Sequence, residues 1–292
     1  MARAPLPVAL VQTHADVDAD ANLQRTADLV AAAARDGAKL VVTQELFRSP
    51  YFCQVEDASW FALAEPIPGP STEVLGAVAR EHGVVIVASL FEKRAPGLYH
   101  NTVAVLEGDG SIAGTYRKMH IPDDPRFYEK FYFTPGDQGF TPIDTSVGRL
   151  GVLICWDQWF PEAARLMAMA GAELLIYPTA IGTWSGEMEM RTIQHQAWQT
   201  LQRSHAIANG LHVLAINRVG VEDELTFWGG SFVATPDGQL LAEAGDMPET
   251  VAATLDFEKT ERMREGWPFF RDRRIDAYGD LLRRWRDGTD RA

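Results

Sequence analysis

Segments with helical spacing of apolar residues alternate along this chain with short, continuous apolar runs. The first helical segment ends at Gly37, and the apolar run Leu40-Val41-Val42 follows it. A second helical segment ends at Gly83 and is followed by the apolar run 84–88. A helix that leads repeatedly into a buried strand is typical of layered architectures, so the sequence predicts a layered α/β fold.

Antiparallel pairing is predicted as well, because two β-rich runs between residues 101 and 117 flank the turn Gly108-Asp109-Gly110. The sheets should therefore be mixed. Further predicted elements are a strand over 150–154, a helix that begins at Pro161, a strand over 174–177, a long helix over about 190–209, a strand over 213–217, a hairpin around 235–238 and a last strand near 251–255.

No low-complexity linker, charge block or repeat divides the chain, so residues 1–292 are expected to form one domain. The segment 259–292 differs from the rest, because it is rich in arginine with interspersed aromatic residues. We expect it to be a C-terminal arm that packs on its own domain or on another subunit.

Charge and cysteine content narrow the classes of function. A net charge of −13 disfavours a nucleic-acid surface, which needs clustered cations. No apolar run is long enough to span a bilayer and the N-terminal segment lacks the apolar core of a secretory signal, so we expect no membrane partner and a cytoplasmic location. Only Cys53 and Cys155 are present, which excludes a disulfide framework.

No motif calls for a metal or an organic cofactor. The seven histidines show no paired zinc-ligand spacing, and no glycine-rich phosphate loop is present. We therefore expect catalysis without either. His195 and His205, which lie on the predicted long helix, and His120 are interpreted as packing or hydrogen-bonding residues.

Three predicted strands end on residues that acyl-transfer chemistry needs: Glu45, Lys118 and Cys155. Such chemistry requires a thiolate, a base that takes and returns its proton, and donors for the developing oxyanion. Taken singly, a buried cysteine is more often inert, and a charged residue after a strand more often lies in solvent. Cys53 has no base near it in sequence and is interpreted as a structural thiol or a pocket wall.

Cys155 is placed at a junction between a strand and a helix, where backbone N–H groups and the helix dipole lower the pKa of a thiol. Burial should raise the pKa of Glu45, and the ammonium of Lys118 should limit that rise and favour the thiolate. The sequence thus predicts an activated cysteine.

Three strings together resemble the signature blocks of the nitrilase superfamily of carbon–nitrogen hydrolases: Thr43-Gln-Glu-Leu-Phe47, Tyr116-Arg-Lys-Met-His-Ile-Pro122 and Ile154-Cys-Trp-Asp-Gln-Trp-Phe-Pro-Glu162. The resemblance implies a four-layer α-β-β-α sandwich with two mixed β-sheets and a catalytic triad of Glu45, Lys118 and Cys155. The segment 127–137 resembles the family segment with a second buried glutamate, which implies that Glu129 holds Lys118. The resemblance also implies a homodimer or larger homo-oligomer.

Three further segments, 155–165, 177–182 and 270–278, resemble the branch of that superfamily that hydrolyses N-carbamoylputrescine. The implied substrates are a small cationic ureido compound and water, and the implied products are putrescine, carbon dioxide and ammonia. The alternatives are another ureido acid such as N-carbamoyl-β-alanine, a simple amide or nitrile, and, in another class, a catalytically silent oligomeric scaffold. Residues 183–190 match the branch least.

A cationic aminoalkyl tail needs an apolar channel that ends at a carboxylate or an aromatic face, because an unpaired buried ammonium is costly. The candidates for the channel wall are Tyr51, Phe52, Trp156, Trp159 and Trp184. Asp157 and Glu187 are the candidates for the charge partner. The competing interpretation places these aromatic residues in the core.

Overall fold

The computed structural model describes residues 4–286, and its strands and helices follow the alternation that the apolar pattern predicts. Their bounds in chain order are β1 (Leu6–Gln12), α1 (Ala19–Arg35), β2 (Leu40–Thr43), α2 (Pro70–His82), β3 (Val85–Ala95), β4 (Leu98–Leu106), β5 (Ile112–Arg117), β6 (Ile143–Thr145), β7 (Gly148–Val152), α3 (Pro161–Met169), β8 (Leu174–Pro178), β9 (Gly182–Trp184), α4 (Arg191–Asn209), β10 (His212–Ile216), β11 (Val219–Glu222), β12 (Leu225–Trp228), β13 (Phe232–Ala234), β14 (Leu240–Glu243), β15 (Glu249–Leu255) and α5 (Phe257–Gly266).

Two six-stranded sheets form the centre of the molecule. The first has the strand order β15-β1-β2-β3-β4-β5, with β1, β2 and β3 parallel. The second has the order β6-β7-β8-β10-β13-β14, with β7, β8 and β10 parallel. In both sheets the other neighbours are antiparallel, so the two sheets repeat one arrangement of directions although the sequence shows no repeat. The prediction of two mixed sheets is confirmed.

The sheets pack face to face between two layers of helices. In β1, Val8 and Leu10 belong to the core that the two sheets share, whereas Ala9 and Val11 pack with residues of α1 and α2. Helices α3 and α4 add Met167, Trp198 and other buried side chains on the second sheet's side. The resulting α-β-β-α order is the four-layer sandwich that the resemblance implies.

Two parts of the fold were not predicted. Strand β1 lies between β15 and β2, although no strand was assigned to that segment. A third sheet of order β11-β12-β9 consists of strands of three or four residues, which are too short to show a periodic pattern. Its strand β9 begins directly after the loop that follows β8.

The predicted arm packs, at its start, against its own domain. Phe270 contacts the core shared by the two sheets, and the guanidinium groups of Arg165 and Arg264 lie over its ring at 4.7 and 5.2 Å from the centroid. Leu282 and Trp285, further along, are exposed. The last part of the predicted arm, residues 287–292, and residues 1–3 of the predicted domain lie outside the described residues.

Across residues 4–286, no helix combines the length and the apolar character needed to cross a membrane.

Candidate active site

The three strand-end residues predicted from the sequence meet in one buried place. Glu45 follows β2, Lys118 follows β5 and Cys155 follows β7. Lys118 Nζ donates a hydrogen bond to Glu45 Oε1 at 2.8 Å, and both side chains are fully buried. Ala180 links this pair to the cysteine, because its N–H donates to Glu45 Oε2 at 2.7 Å and its carbonyl oxygen lies 3.9 Å from Cys155 Sγ.

Lys118 lies between two carboxylates. Its ammonium also donates to Glu129 Oε2 at 2.7 Å, and Glu129 Oε1 accepts a hydrogen bond from the Tyr51 hydroxyl at 2.7 Å. Burial alone would lower the pKa of Lys118, but the charges of Glu129 and Glu45 outweigh it and hold that pKa well above its usual value. Lys118 is therefore a permanently charged donor at this site.

Glu129 is at the place that the resemblance implies for it. Burial raises the pKa of its carboxyl group, and the ammonium of Lys118 opposes that rise. Asn101, which the sequence analysis did not single out, donates from Nδ2 to Glu45 Oε1 at 2.7 Å. No sequence signal distinguishes Asn101 from other polar residues in strands, because its role depends on β4 lying beside β5.

Cys155 begins a short 3-10 helix, Cys155–Trp159, in a left-handed backbone conformation with φ of 41°. Such a conformation costs about 1–3 kcal/mol for a residue other than glycine, and it is concentrated at functional sites. Pro161 then begins α3, as predicted, so Cys155 lies on a sharp turn between strand and helix.

The expectation of a lowered thiol pKa is wrong. Burial raises the pKa of Cys155 well above its usual value, the Glu45 carboxylate adds to the rise, and Lys118 opposes it without prevailing. The raised pKa favours the thiol form of this side chain over the thiolate. Cys53 is also a buried thiol with a raised pKa, and it belongs to an aromatic cluster.

A cavity of about 430 Å³ opens onto Cys155. Three of the predicted wall residues, Trp156, Trp159 and Trp184, line it, as does the predicted charge partner Glu187. The cavity lining is mainly apolar and comprises Pro122, Asp124, Pro125, Phe127, Cys155, Trp156, Trp159, Ile181, Gly182, Trp184, Glu187, Ile193, Gln194, Ala197 and Trp228.

The structure corrects the assignment of Asp157 to the substrate. Its side chain is fully buried, and its carboxylate accepts hydrogen bonds from the Tyr116 hydroxyl at 2.8 Å, from His120 N at 2.9 Å and from Ile154 N at 3.0 Å. His120 Nδ1 lies 2.7 Å from the same carboxylate. Asp157 thus connects the segment that carries Lys118 with the turn that carries the cysteine, and it is not among the residues that line the cavity.

Tyr51 and Phe52 are likewise not part of the cavity wall. Tyr51 is buried and directs its hydroxyl at Glu129, whereas Phe52 stacks on Phe91 with ring centroids 5.0 Å apart. Both belong to an aromatic cluster behind the site. Their apolar character is explained by that cluster, so for these two residues the core interpretation holds.

The sequence analysis missed several residues of the cavity wall, among them Asp124, Gln194 and Trp228. Asp124 could have been suspected, since it follows the Lys118 block in a proline-rich loop. Trp228 could not, because it comes from the small third sheet. Over the described part of the chain, no group of three or more histidine, cysteine, aspartate or glutamate side chains could hold a metal ion.

Comparison with known proteins places the chain in a family. The family model for carbon-nitrogen hydrolases matches residues 7–265. An N-carbamoylputrescine amidase from Solanum lycopersicum is 45% identical over 285 residues, which cover 94% of each chain. A citrullinase from Francisella tularensis is 40% identical over 97% of this chain and 100% of its own.

A solved structure agrees with these matches. The carbon-nitrogen hydrolase from Helicobacter pylori G27 superimposes with a TM-score of 0.94 and 51% identity, and the match covers 97% of this chain and 100% of that one. Because the family model covers most of the chain and relatives above 30% identity cover nearly all of it, this protein belongs to the carbon–nitrogen hydrolase family, within the nitrilase superfamily.

Proposed function

We propose that this chain hydrolyses N-carbamoylputrescine to putrescine, carbon dioxide and ammonia. The observation that carries the proposal is the charge of the cavity. Asp124 and Glu187 are carboxylates in an otherwise mainly apolar lining, and neither lysine nor arginine occurs among the described residues of that lining. A ureido compound with an ammonium at its far end matches both the apolar wall and the two negative charges.

The same charges disfavour the alternative substrates. N-carbamoyl-β-alanine ends in a carboxylate, which would be repelled by Asp124 and Glu187 and would find no described cation in the wall. Citrulline, the substrate implied by the name of one relative, carries both an amino group and a carboxylate at its end. We therefore expect it to bind less well than the purely cationic compound.

In the proposed first half-reaction, Glu45 accepts the thiol proton while Cys155 Sγ attacks the ureido carbonyl carbon. The ammonium of Lys118 and the N–H of Trp156, in the first turn of the 3-10 helix, stabilise the oxyanion. The carbon–nitrogen bond to the terminal amino group then breaks, and Glu45 returns the proton so that ammonia leaves. The carbonyl carbon stays bonded to sulfur as a thiocarbamate.

In the second half-reaction, Glu45 takes a proton from water, and the resulting hydroxide attacks the thiocarbamate carbon. The carbon–sulfur bond breaks and the thiol recovers its proton. The released carbamate decomposes without the enzyme into carbon dioxide and putrescine. Glu129 keeps Lys118 in place throughout, by the 2.7 Å hydrogen bond described above.

The test is ammonia release from N-carbamoylputrescine, N-carbamoyl-β-alanine and citrulline, measured side by side, with Cys155→Ala as the inactive control. We expect kcat/KM to be highest for N-carbamoylputrescine. Turnover of only a carboxylated substrate, or equal rates for wild type and Cys155→Ala, would refute the proposal.

The charge partner is tested by Glu187→Gln, which keeps the side-chain shape and removes the charge. Loss of a hydrogen bond to an ammonium, worth about 1.5–3 kcal/mol, should raise KM for N-carbamoylputrescine about tenfold or more. Glu189→Gln is the matched control, because Glu189 is exposed and does not line the cavity. An unchanged KM in Glu187→Gln would transfer the role to Asp124, for which Asp124→Asn is the corresponding variant.

We also propose that the chain acts as a single domain and assembles into a homodimer or larger homo-oligomer. Helices α3 and α4 expose Leu166, Met169 and Ile193, and the arm exposes Trp267 and Leu281. Apolar side chains clustered on two packed helices are typical of a subunit interface. Sedimentation velocity of the whole chain tests this, and a monomer at micromolar concentration would refute it. The cytoplasmic location stays a prediction.

A further inference from the structure

Two neighbouring residues that follow β10, Asn217 and Arg218, hold the loops around Glu45. Both side chains are fully buried, and neither lines the cavity. A buried arginine has to be paired, because an isolated charge in the interior is costly. The partners of these two side chains therefore show what the pair does in the fold.

Arg218 contacts the backbone of the base itself. Its Nη2 donates to the carbonyl oxygens of Glu45 and Leu46, each at 2.9 Å. Leu46 has a left-handed backbone with φ of 49°, so the turn directly after Glu45 is strained and needs fixed partners. Nη1 of the same guanidinium donates to Glu222 Oε1 at 2.9 Å and to Glu222 Oε2 at 3.1 Å.

Asn217 holds the backbone segment that contacts the Glu45 carboxylate. Its Oδ1 accepts from Ile181 N at 3.0 Å, and its Nδ2 donates to Ile181 O at 2.9 Å. Ile181 directly follows Ala180, whose N–H contacts the Glu45 carboxylate. One side chain thus fixes both backbone groups next to the residue that orients Glu45.

Glu222 extends the contact to the second carboxylate. Besides its bidentate pair with Arg218, its Oε2 accepts from Tyr51 N at 2.5 Å. The hydroxyl of Tyr51 in turn donates to Glu129 at 2.7 Å. The Arg218–Glu222 ion pair therefore connects the two glutamates that flank Lys118, because Arg218 contacts the Glu45 backbone directly and Glu222 reaches Glu129 through Tyr51.

We propose that Asn217, Arg218 and Glu222 are positioning residues, which fix Glu45 and Glu129 around Lys118 so that proton transfer from Cys155 can occur. A buried ion pair contributes little net stability compared with apolar side chains of the same volume. Its directional hydrogen bonds, in contrast, define the orientation of the groups they join. A displacement of a reacting group by about 1 Å lowers the reaction rate about 100-fold. The inference rests on the catalytic roles proposed for Glu45, Lys118 and Cys155, and not on the identity of the substrate.

The main test variant is Glu222→Gln. An amide of the same shape has no charge and only one acceptor oxygen. In one orientation its NH2 group faces the Tyr51 N–H, and in the other it faces Arg218 Nη1, which donates to Glu222 Oε1 at 2.9 Å in the wild type. Arg218→Lys is the second variant, because a single ammonium cannot reach the Glu45 carbonyl and Glu222 together in the way the guanidinium fork does. The matched control is Glu65→Gln, since Glu65 is another buried glutamate that pairs with an arginine, Arg48.

Three quantities are measured for each variant of the whole chain: kcat and KM with N-carbamoylputrescine, the unfolding temperature, and the rate at which iodoacetamide alkylates Cys155, followed by mass spectrometry. We expect Glu222→Gln to lower kcat and the alkylation rate about 10- to 100-fold, with KM within about threefold of wild type. Glu65→Gln should lower the unfolding temperature but leave kcat and alkylation unchanged.

The inference would be overturned if Glu222→Gln had the kcat and the alkylation rate of the wild type. It would also be overturned if Glu222→Gln and Glu65→Gln lost the same activity for the same decrease in unfolding temperature. If Arg218→Lys does not fold, Glu222→Gln alone decides. The alkylation rate needs no substrate, so it tests the positioning role even if wild-type protein fails to hydrolyse N-carbamoylputrescine. In that case only the proposed function fails.

Discussion

Replacing Asp157 by asparagine isolates the contribution of one buried carboxylate that touches no substrate. The aspartate accepts hydrogen bonds from two backbone N–H groups, those of His120 and Ile154, and from the hydroxyl of Tyr116. Asparagine has the same shape but only one acceptor oxygen, and its NH2 group can only donate. In either orientation of the amide, one backbone N–H therefore faces another donor.

The magnitude follows from that unpaired group. A buried N–H without an acceptor costs about 1–3 kcal/mol, and for chains of about this size 1 kcal/mol corresponds to about 2–4 °C in unfolding temperature. Asp157→Asn should therefore unfold about 2–12 °C below wild type. Because Ile154 precedes Cys155 and His120 lies two residues after Lys118, we also expect kcat to fall about 10- to 100-fold.

The assay combines thermal unfolding followed by circular dichroism with initial rates of ammonia release, both at pH 7. Asp144→Asn is the matched control: Asp144 is exposed and pairs with Arg149, so the same chemical change should leave the unfolding temperature nearly unchanged. If Asp157→Asn unfolds within about 1 °C of wild type and keeps its kcat, the buried carboxylate does not hold the two segments together and the reasoning is wrong.

Three further predictions concern stability, the cavity wall and the second glutamate. Burial lowers the pKa of His205 and of His212 from 6.5 to about 4, so both are neutral in the fold and take up protons only on unfolding as the pH falls from about 6.5 to about 4. Protonation of each histidine on unfolding should therefore reduce the free energy of unfolding by about 2 kcal/mol between pH 7 and pH 5. Urea titrations of wild type and His205→Asn can detect this, and an equal loss of stability in both proteins would contradict the assignment. Gly186→Ala would place a Cβ 1.9 Å from the Trp184 ring, so the indole must move and KM should rise several-fold, and an unchanged KM would show that this wall does not contact the substrate. Tyr51→Phe removes the hydroxyl that holds the second glutamate, and we expect kcat to fall about three- to tenfold while KM stays constant; an unchanged kcat would show that this hydrogen bond is dispensable.

The buried pair of Glu45 and Lys118 shows why part of the candidate site could be predicted. Lys118 directly follows β5 and Glu45 lies two residues after β2, and strand ends are recognisable from local apolar runs. The required chemical types at those ends, together with the resemblance of the surrounding strings, were enough to select them. The placement of Glu129 came from resemblance alone, since its own segment forms only a short 3-10 helix, Glu129–Phe131.

The thiol pKa shows where local reasoning fails. The turn between strand and helix suggested a lowered value for Cys155, because only the helix start and Lys118 were considered. The structure adds burial of the thiol and the Glu45 carboxylate, and together these two effects outweigh the cation. Burial is a property of all the layers around the residue and does not appear in its neighbours along the chain.

What the sequence determined by itself is the alternation of helices and strands, the mixed sheets and the three strand-end residues, because each depends on spacing within about twenty residues. Only the tertiary structure decided that Asp157 is a buried connector while Glu187 faces the cavity, and that Arg218 holds the loop of Glu45. Arg218 and Glu45 are 173 residues apart along the chain. Which side chains meet across such a distance depends on how the layers pack, and no local periodicity encodes that contact.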